Sequence, residues 1–413
     1  MATTLKEIEF HGQKVPMIFE EGKYLPIVSM QLVFHNAGHL SNTKDGLADM
    51  AAKLFNEGTA KDGSVGFATK LDAHAVDINA QVGRESFVLE ISALKSELPY
   101  ALERLEELLK DPNYTQEAFG QIKHQKIGWL MRKKSDFDYI AANTLRETLF
   151  KGSALGRPYD GTLESIETIT LEDIKAFITS HLGYNNAMGV VGGDITSDQA
   201  QHYLTHILSL FPKVDLKEEQ TIKILANKQT VITTQDTQQA YIYFGAPFDF
   251  SYKSQDQYLA KIAEYLLGGA GFGSRLMEEI RVKRGLTYGA YASLRRTKPV
   301  SYLSGYLQTK LTTQDEAKAL VQKVVDDFVQ HGITQKELDD TKKFLLGSEP
   351  LRTETLSQRL NRAYDDYFYG RPLGFTQAQL KKIEEVTLDE VNAFITSHTE
   401  LSNITFSIVT KHK

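Results

Sequence analysis

Two passages of this chain are too alike for chance, and that likeness restricts the fold more than any other feature. Residues 169–181 read ITLEDIKAFITSH and residues 386–398 read VTLDEVNAFITSH. At an offset of 217 they share eight of thirteen residues, and most of the other differences exchange Ile for Val or Asp for Glu. Gly-Arg-Pro precedes each passage, at Gly156 and at Gly370. Both read as a Thr-capped amphipathic helix that follows an extended loop. One recurring helix type would explain the helices but not the matching flanks. A duplicated domain of roughly 200 residues explains both.

A length of 413 residues suits two or more domains and a large core. Hydrophobic residues make up 41% and charged residues 24%, ordinary globular usage, so the chain should fold. Lys plus Arg number 47 against 53 Asp plus Glu, a net charge of −6, which supplies no global basic field for nucleic acid or anionic membrane. With no cysteine, disulfides, thiolate zinc sites, iron–sulfur clusters and a cysteine nucleophile are all excluded. No run of about 18 apolar residues is present, so no membrane span is expected. The start, Met1-Ala2-Thr3-Thr4-Leu5-Lys6, has no basic region followed by an apolar core, so no signal peptide is expected in this sequence. Compartment stays open: cytoplasmic, or periplasmic or exported if a signal peptide has been removed.

Periodicity agrees with duplication. Ile27 to His35 and Glu85 to Ala93 alternate like strands, with helical stretches from near Asp45 and Ser64 between them. Helical patterns run from Ser96, Thr115, Asp138 and Thr170, and Ala187 to Val191 reads as an apolar strand. The second half repeats the order. Ala240 to Phe248 alternates, helices follow from Ser254 and Gly273, and Thr287 to Leu294 and Ser301 to Thr309 read as a strand pair. Helices from Thr312, Thr334, Thr355 and Thr387 lead to a closing strand near Ile404 to Val409. Strands followed by runs of helices predict an α+β class: two homologous tandem domains, each a mostly antiparallel sheet layered with helices. The expected division is residues 1–215 and 229–413, joined by a charged, weakly periodic linker at 216–228.

Histidine is the first place to look for metal or acid–base chemistry. His202 and His206 stand four apart on a helical pattern, but no Glu lies between them, and Tyr203, Leu204, Ile207 and Leu208 account for the helix by packing. His35 and His39 share the spacing across Asn36-Ala37-Gly38, which reads as a strand ending in a turn.

More informative is Gly38 to Thr59, GHLSNTKDGLADMAAKLFNEGT, with GRPYDGT at 156–162 and GGAGFGSRLMEEIRVKRGLTYG at 268–289. Together these blocks resemble the pitrilysin-type metallopeptidases, which include the mitochondrial processing peptidase, and the resemblance covers nearly the whole chain. It implies two domains around a chamber. Active members are inverzincins with H-x-x-E-H, two zinc-ligating histidines and a general-base Glu. In register with Gly46-Leu47-Ala48, this chain has Asp49 and Lys53 at the histidine positions and Ala52 at the Glu. Lysine repels zinc and alanine accepts no proton. Asp49 and Lys53 have the spacing of an i,i+4 ion pair. The third ligand, a Glu, is expected near Lys123 to Leu130, yet residues 118–135 contain no acid. No cofactor is therefore expected in this chain.

The same resemblance implies a role for Arg281 and Tyr288. In the family, the C-terminal domain of an active pair supplies an Arg and a Tyr seven residues apart that contact substrate. Arg is a fixed cation with forked donors and Tyr a neutral O–H donor, a combination suited to a peptide carbonyl and its developing oxyanion. The alternative is that Arg281 is a solvated helix charge beside Glu278 and Glu279, and Tyr288 a core aromatic. Gly268, Gly269, Gly271 and Gly273 precede a helix but lack the Gly-Lys-Ser/Thr of a P-loop. The resemblance implies a flexible substrate-binding loop at Gly269, Gly271 and Gly273; a tight turn with an N-cap at Ser274 is the other reading.

The expected function is thus the zinc-free subunit of a two-chain peptidase acting on unfolded peptides, with zinc in a homologous partner. The alternative is a non-catalytic assembly or peptide-binding protein, comparable to the respiratory-complex core subunits that share the fold.

Overall fold

The computed structural model describes residues 3–216, 221–225 and 228–411. Residues 217–220 and 226–227 of the expected linker lie outside them. Two sheets organise the chain. The first has six strands, β1 (Thr4–Phe10), β2 (Gln13–Glu21), β3 (Ile27–His35), β4 (Asp77–Val82), β5 (Ser86–Leu94) and β6 (Ala187–Gly193), in the order β1-β2-β6-β3-β5-β4. The second has β7 (Thr230–Thr234), β8 (Gln239–Pro247), β9 (Ala290–Arg296), β10 (Ser301–Lys310) and β11 (Thr405–Thr410), in the order β7-β11-β8-β10-β9.

In each sheet the closing strand is parallel to one neighbour and antiparallel to the other: β6 between β2 and β3, β11 between β7 and β8. The class is α+β, with two mostly antiparallel sheets layered with helices. The repeated passages form helices Leu171–His181 and Leu388–Ser397. Thr170 and Thr387 cap them, each in a reciprocal box with the acid three residues on, Asp173 and Glu390. Each cap stabilises its helix by about 1 kcal/mol.

Alternation along β3 sends Val28, Met30, Leu32 and Phe34 into one core with Leu47, Met50 and Leu54 of helix Leu47–Phe55 and with Phe177. Ile242, Phe244 and Ala246 of β8 join Leu266, Val321 and Phe328 in the other.

The chain forms two compact units, and each takes one helix from the far part of the sequence. Helix Leu356–Phe368 belongs to the first unit, where Arg359 pairs with the buried Glu20 at 2.7 Å and His35 stacks on Phe368. Helix Phe137–Leu149 belongs to the second, where Asp138 accepts hydrogen bonds from the Tyr243 hydroxyl at 3.1 Å and from Gln308 at 2.7 Å. Burial and the Asp138 charge hold the Tyr243 phenol well above its usual range.

Candidate functional site

Helix Leu47–Phe55 starts at Gly46, whose φ of +87° is left-handed, and the Asn42 side chain accepts from the Ala48 N–H at 2.8 Å. On this helix Ala52 is buried and Lys53 is exposed. Asp49 does not form the i,i+4 pair that its spacing suggested. Its Oδ2 lies 2.8 Å from Nζ of Lys126, on helix Gln116–Lys133, and the same ammonium reaches Asp160 Oδ1 at 3.2 Å. The helix of the degenerate motif and helix Gln116–Lys133 therefore meet through a lysine. Among the described residues no cluster of three or more His, Asp or Glu is placed to hold a metal. The residues present do not fit zinc.

The glycine-rich segment lies in the second unit. Helix Gln257–Glu264 runs into a π-helical turn, Tyr265–Gly269, then a 3-10 turn, Gly271–Gly273. Gly268 is needed for space, because a Cβ there would meet the Ala292 N at 2.4 Å. Gly271 is needed for conformation, with φ of +57° in open space. Gly269 and Gly273 are exposed. Ser274 Oγ donates to the Gly271 carbonyl at 2.9 Å and accepts from the Met277 N–H at 3.4 Å, so the turn-and-cap reading describes this loop's own geometry.

A second π-helical stretch, Met277–Val282, carries Arg281. Its i→i−5 bond, Lys283 N–H to Glu278 carbonyl at 2.9 Å, inserts a residue into the α-helical spacing, a distortion found often at functional sites. Four basic residues lie between 275 and 284, and three are matched to acids. Arg275 forks onto Glu337 at 2.7 and 2.9 Å, while Lys283 and Arg284 hold Glu279 at 2.5 and 2.9 Å. Bonds from Lys283 and then Arg284 hold the Glu279 carboxyl below its ordinary range. Burial pushes Glu337 upward, but the Arg275 fork and the Thr334 donors outweigh it and hold that group low. Arg281 is the exception. Its side chain makes no ion pair or hydrogen bond among the described residues, and its guanidinium lies over the Phe272 ring, 4.4 Å from the centroid.

Tyr288 precedes β9 instead of lying in it, and at 89% exposure it is not a core aromatic. The backbone beneath it is fixed. Leu286 N–H donates to Ile280, the Leu286 carbonyl accepts from Thr309, and Thr287 Oγ1 bonds both the Gly289 N–H and its carbonyl. A cavity of about 680 Å³ opens beside the loop, lined by Phe272, Ser274, Arg275, Glu278, Lys336 and Glu337 among others, and its lining includes neither Arg281 nor Tyr288. The histidine pairs build no centre: His206 pairs with Glu106, His202 lies beside Tyr203, and His35 and His39 stack on different aromatics. Lys126 carries little signal in sequence, lying between Gln125 and Ile127 three residues before Trp129, because its partners Asp49 and Asp160 come from other segments.

Residues 17–163 match the family model described as Insulinase (Peptidase family M16), and residues 168–345 match the one described as Peptidase M16 inactive domain. The chain is 43% identical over 413 residues to the non-peptidase homolog YmxG of Helicobacter pylori, covering 100% of this chain and 95% of that protein. It superposes on the crystal structure of a peptidase M16 inactive domain from Pseudomonas fluorescens with a TM-score of 0.89 at 24% identity, over 99% of both chains. A protease from Helicobacter pylori gives a TM-score of 0.81 at 18% identity, over 99% of this chain and 100% of that one. At these identities the two structures speak to fold alone.

Proposed function

The chain belongs to peptidase family M16 as one of its non-peptidase homologues, and on that premise we propose that it is the zinc-free subunit of a two-chain peptidase. Zinc and the general base reside in a homologous partner, which supplies the metal-activated water. This chain supplies Arg281 and Tyr288. The observation that carries the reading is the contrast within one short segment: every basic residue from 275 to 284 is neutralised by an acid except Arg281. A structural arginine would take Glu278 or Glu279; Arg281 keeps its forked donors open to an incoming carbonyl.

Tyr288 adds a neutral, exposed O–H on a pinned loop, so the chain offers a cation and a neutral donor for a peptide carbonyl whose oxygen gains charge. Gly269, Gly271 and Gly273 permit the Phe272 loop to adjust around an extended peptide. The substrate is an unfolded segment, since recognition rests on backbone carbonyls.

The test is reconstitution. Mixed with an H-x-x-E-H homologue encoded in the same genome, the chain is expected to form a heterodimer that cleaves unfolded peptides, while neither chain does so alone. Assembly without cleavage would favour the alternative, a non-catalytic assembly or peptide-binding protein.

A further inference from the structure

We infer that Lys126 is a resident cation: its ammonium joins the helix of the degenerate motif to the helix on which the resemblance sets the third ligand, and the carboxylates around it form a site for a primary ammonium. The inference does not rest on the roles of Arg281 and Tyr288.

The disagreement with a metal is chemical and local. Of the three motif positions on helix Leu47–Phe55, only Asp49 offers a ligand atom; Ala52 offers none and Lys53 is exposed. Helix Gln116–Lys133 has no acid beyond Glu117 in its first turn. In place of a ligand it sends in Lys126, whose side chain is only 3% exposed.

A buried ammonium has three N–H donors to satisfy and a charge to compensate. Lys126 donates a hydrogen bond to Asp160 Oδ1 at 3.2 Å, and its charge is compensated further by the ion pair with Asp49 Oδ2 at 2.8 Å and by the Trp129 ring, 4.3 Å away at its centroid. Two carboxylates and one π face thus surround one buried charge. Both carboxylates are already in contact with Nζ, which leaves no room for an ion between them.

The contact also does mechanically what a bound metal does. It joins helix Leu47–Phe55, helix Gln116–Lys133 and the loop at Asp160, three segments far apart in sequence. The first and the last of these segments also crowd at Gly46, where a Cβ would meet the Asp160 carbonyl at 3.0 Å. A cation tethered by a lysine stem holds this corner without depending on metal supply.

Cutting the tether should reveal the ligand class. In Lys126→Ala two carboxylates face a lysine-shaped void, which a small primary alkylammonium fits. In Lys126→Glu three carboxylates converge, a set of hard oxygen donors suited to Mn²⁺.

The experiment is thermal unfolding of the purified chain, with metal stoichiometry by calorimetry. The wild-type midpoint is expected to be the same in EDTA and in millimolar Mn²⁺. Lys126→Ala is expected to lose about 5 °C or more and to recover much of it in ethylammonium chloride, but not in tetramethylammonium or sodium chloride at equal ionic strength. Lys126→Glu is expected to bind about one Mn²⁺ per chain and to unfold higher with it. The inference is overturned if Lys126→Ala keeps the wild-type midpoint, if tetramethylammonium rescues as well as ethylammonium, or if Lys126→Glu folds and ignores Mn²⁺. Should either variant fail to fold, Asp49→Asn with and without Lys126→Met decides. Non-additive losses are expected, and additive ones would refute the pairing.

Discussion

The Arg281 guanidinium is held at 4.4 Å from the Phe272 ring centroid by a contact that uses none of its N–H donors. Phe272 is 67% exposed, so its ring is retained on the surface of the loop without the support of a core. A cation–π contact at such a site contributes about 0.5–1 kcal/mol, enough to bias where the arginine points. Phe272→Ala is expected to weaken peptide binding by the assembled pair about 2- to 5-fold, with Phe272→Tyr restoring it. Fluorescence anisotropy of a labelled unfolded peptide measures this; equal weakening by the Ala and Tyr variants would show that the ring's face is not what matters.

Glu337 ties Arg275, in the turn after Ser274, to helix Gln335–Gly347. Because its folded-state carboxyl titrates below the ordinary glutamate value, it stabilises the fold above about pH 4.3 and that contribution is lost as pH falls through the lower folded value. Glu337→Gln should therefore flatten the fall in stability between about pH 5 and 3 while lowering stability at pH 7. Urea melts of both proteins across that range test it, and parallel curves would remove Glu337 from the account.

Gly271 and Gly120 offer a matched contrast, since a Cβ meets nothing within 4 Å at either. At Gly271 the φ of +57° makes alanine strained, so Gly271→Ala should cost about 1 kcal/mol. Gly120 lies inside helix Gln116–Lys133, where alanine should add about 0.5–1 kcal/mol. Denaturant midpoints of the two variants should move in opposite directions.

Much of this architecture was written in alternation and repetition. β3, β8 and β10 were legible because buried positions alternate with more accessible ones over much of each strand, and the repeat helices because Thr170 and Thr387 announce their starts. The duplication extends to details: Lys123 donates to the carbonyls of Glu167 and Ile169, and Lys342 to those of Glu384 and Val386. The β1–β2 hairpin escaped notice because its tight turn uses His11 and Gly12, at φ of 48° and 74°, in place of an Asn-Gly signal. β7 is short and nowhere fully buried, so its pattern TVITT carries little periodicity. Which sheet helices Phe137–Leu149 and Leu356–Phe368 cover was not readable, because a duplicated chain offers each helix two similar surfaces.

The degenerate motif was readable as a loss, through Asp49, Ala52 and Lys53, but its replacement was not. Lys126 looks like any helix lysine until folding brings Asp49 and Asp160 to it from other segments. Likewise the resemblance pointed to Arg281 and Tyr288, whereas the contrast with the acid-paired Arg275, Lys283 and Arg284 exists only in three dimensions.

The most direct test of the account is turnover of an unfolded peptide by the reconstituted pair carrying Arg281→Ala or Tyr288→Phe in this chain. Donors that act on developing charge should lower kcat by about 100-fold when lost, with assembly and thermal stability unchanged. Full turnover by both variants in a normally assembled pair would contradict the account and leave the chain an assembly protein.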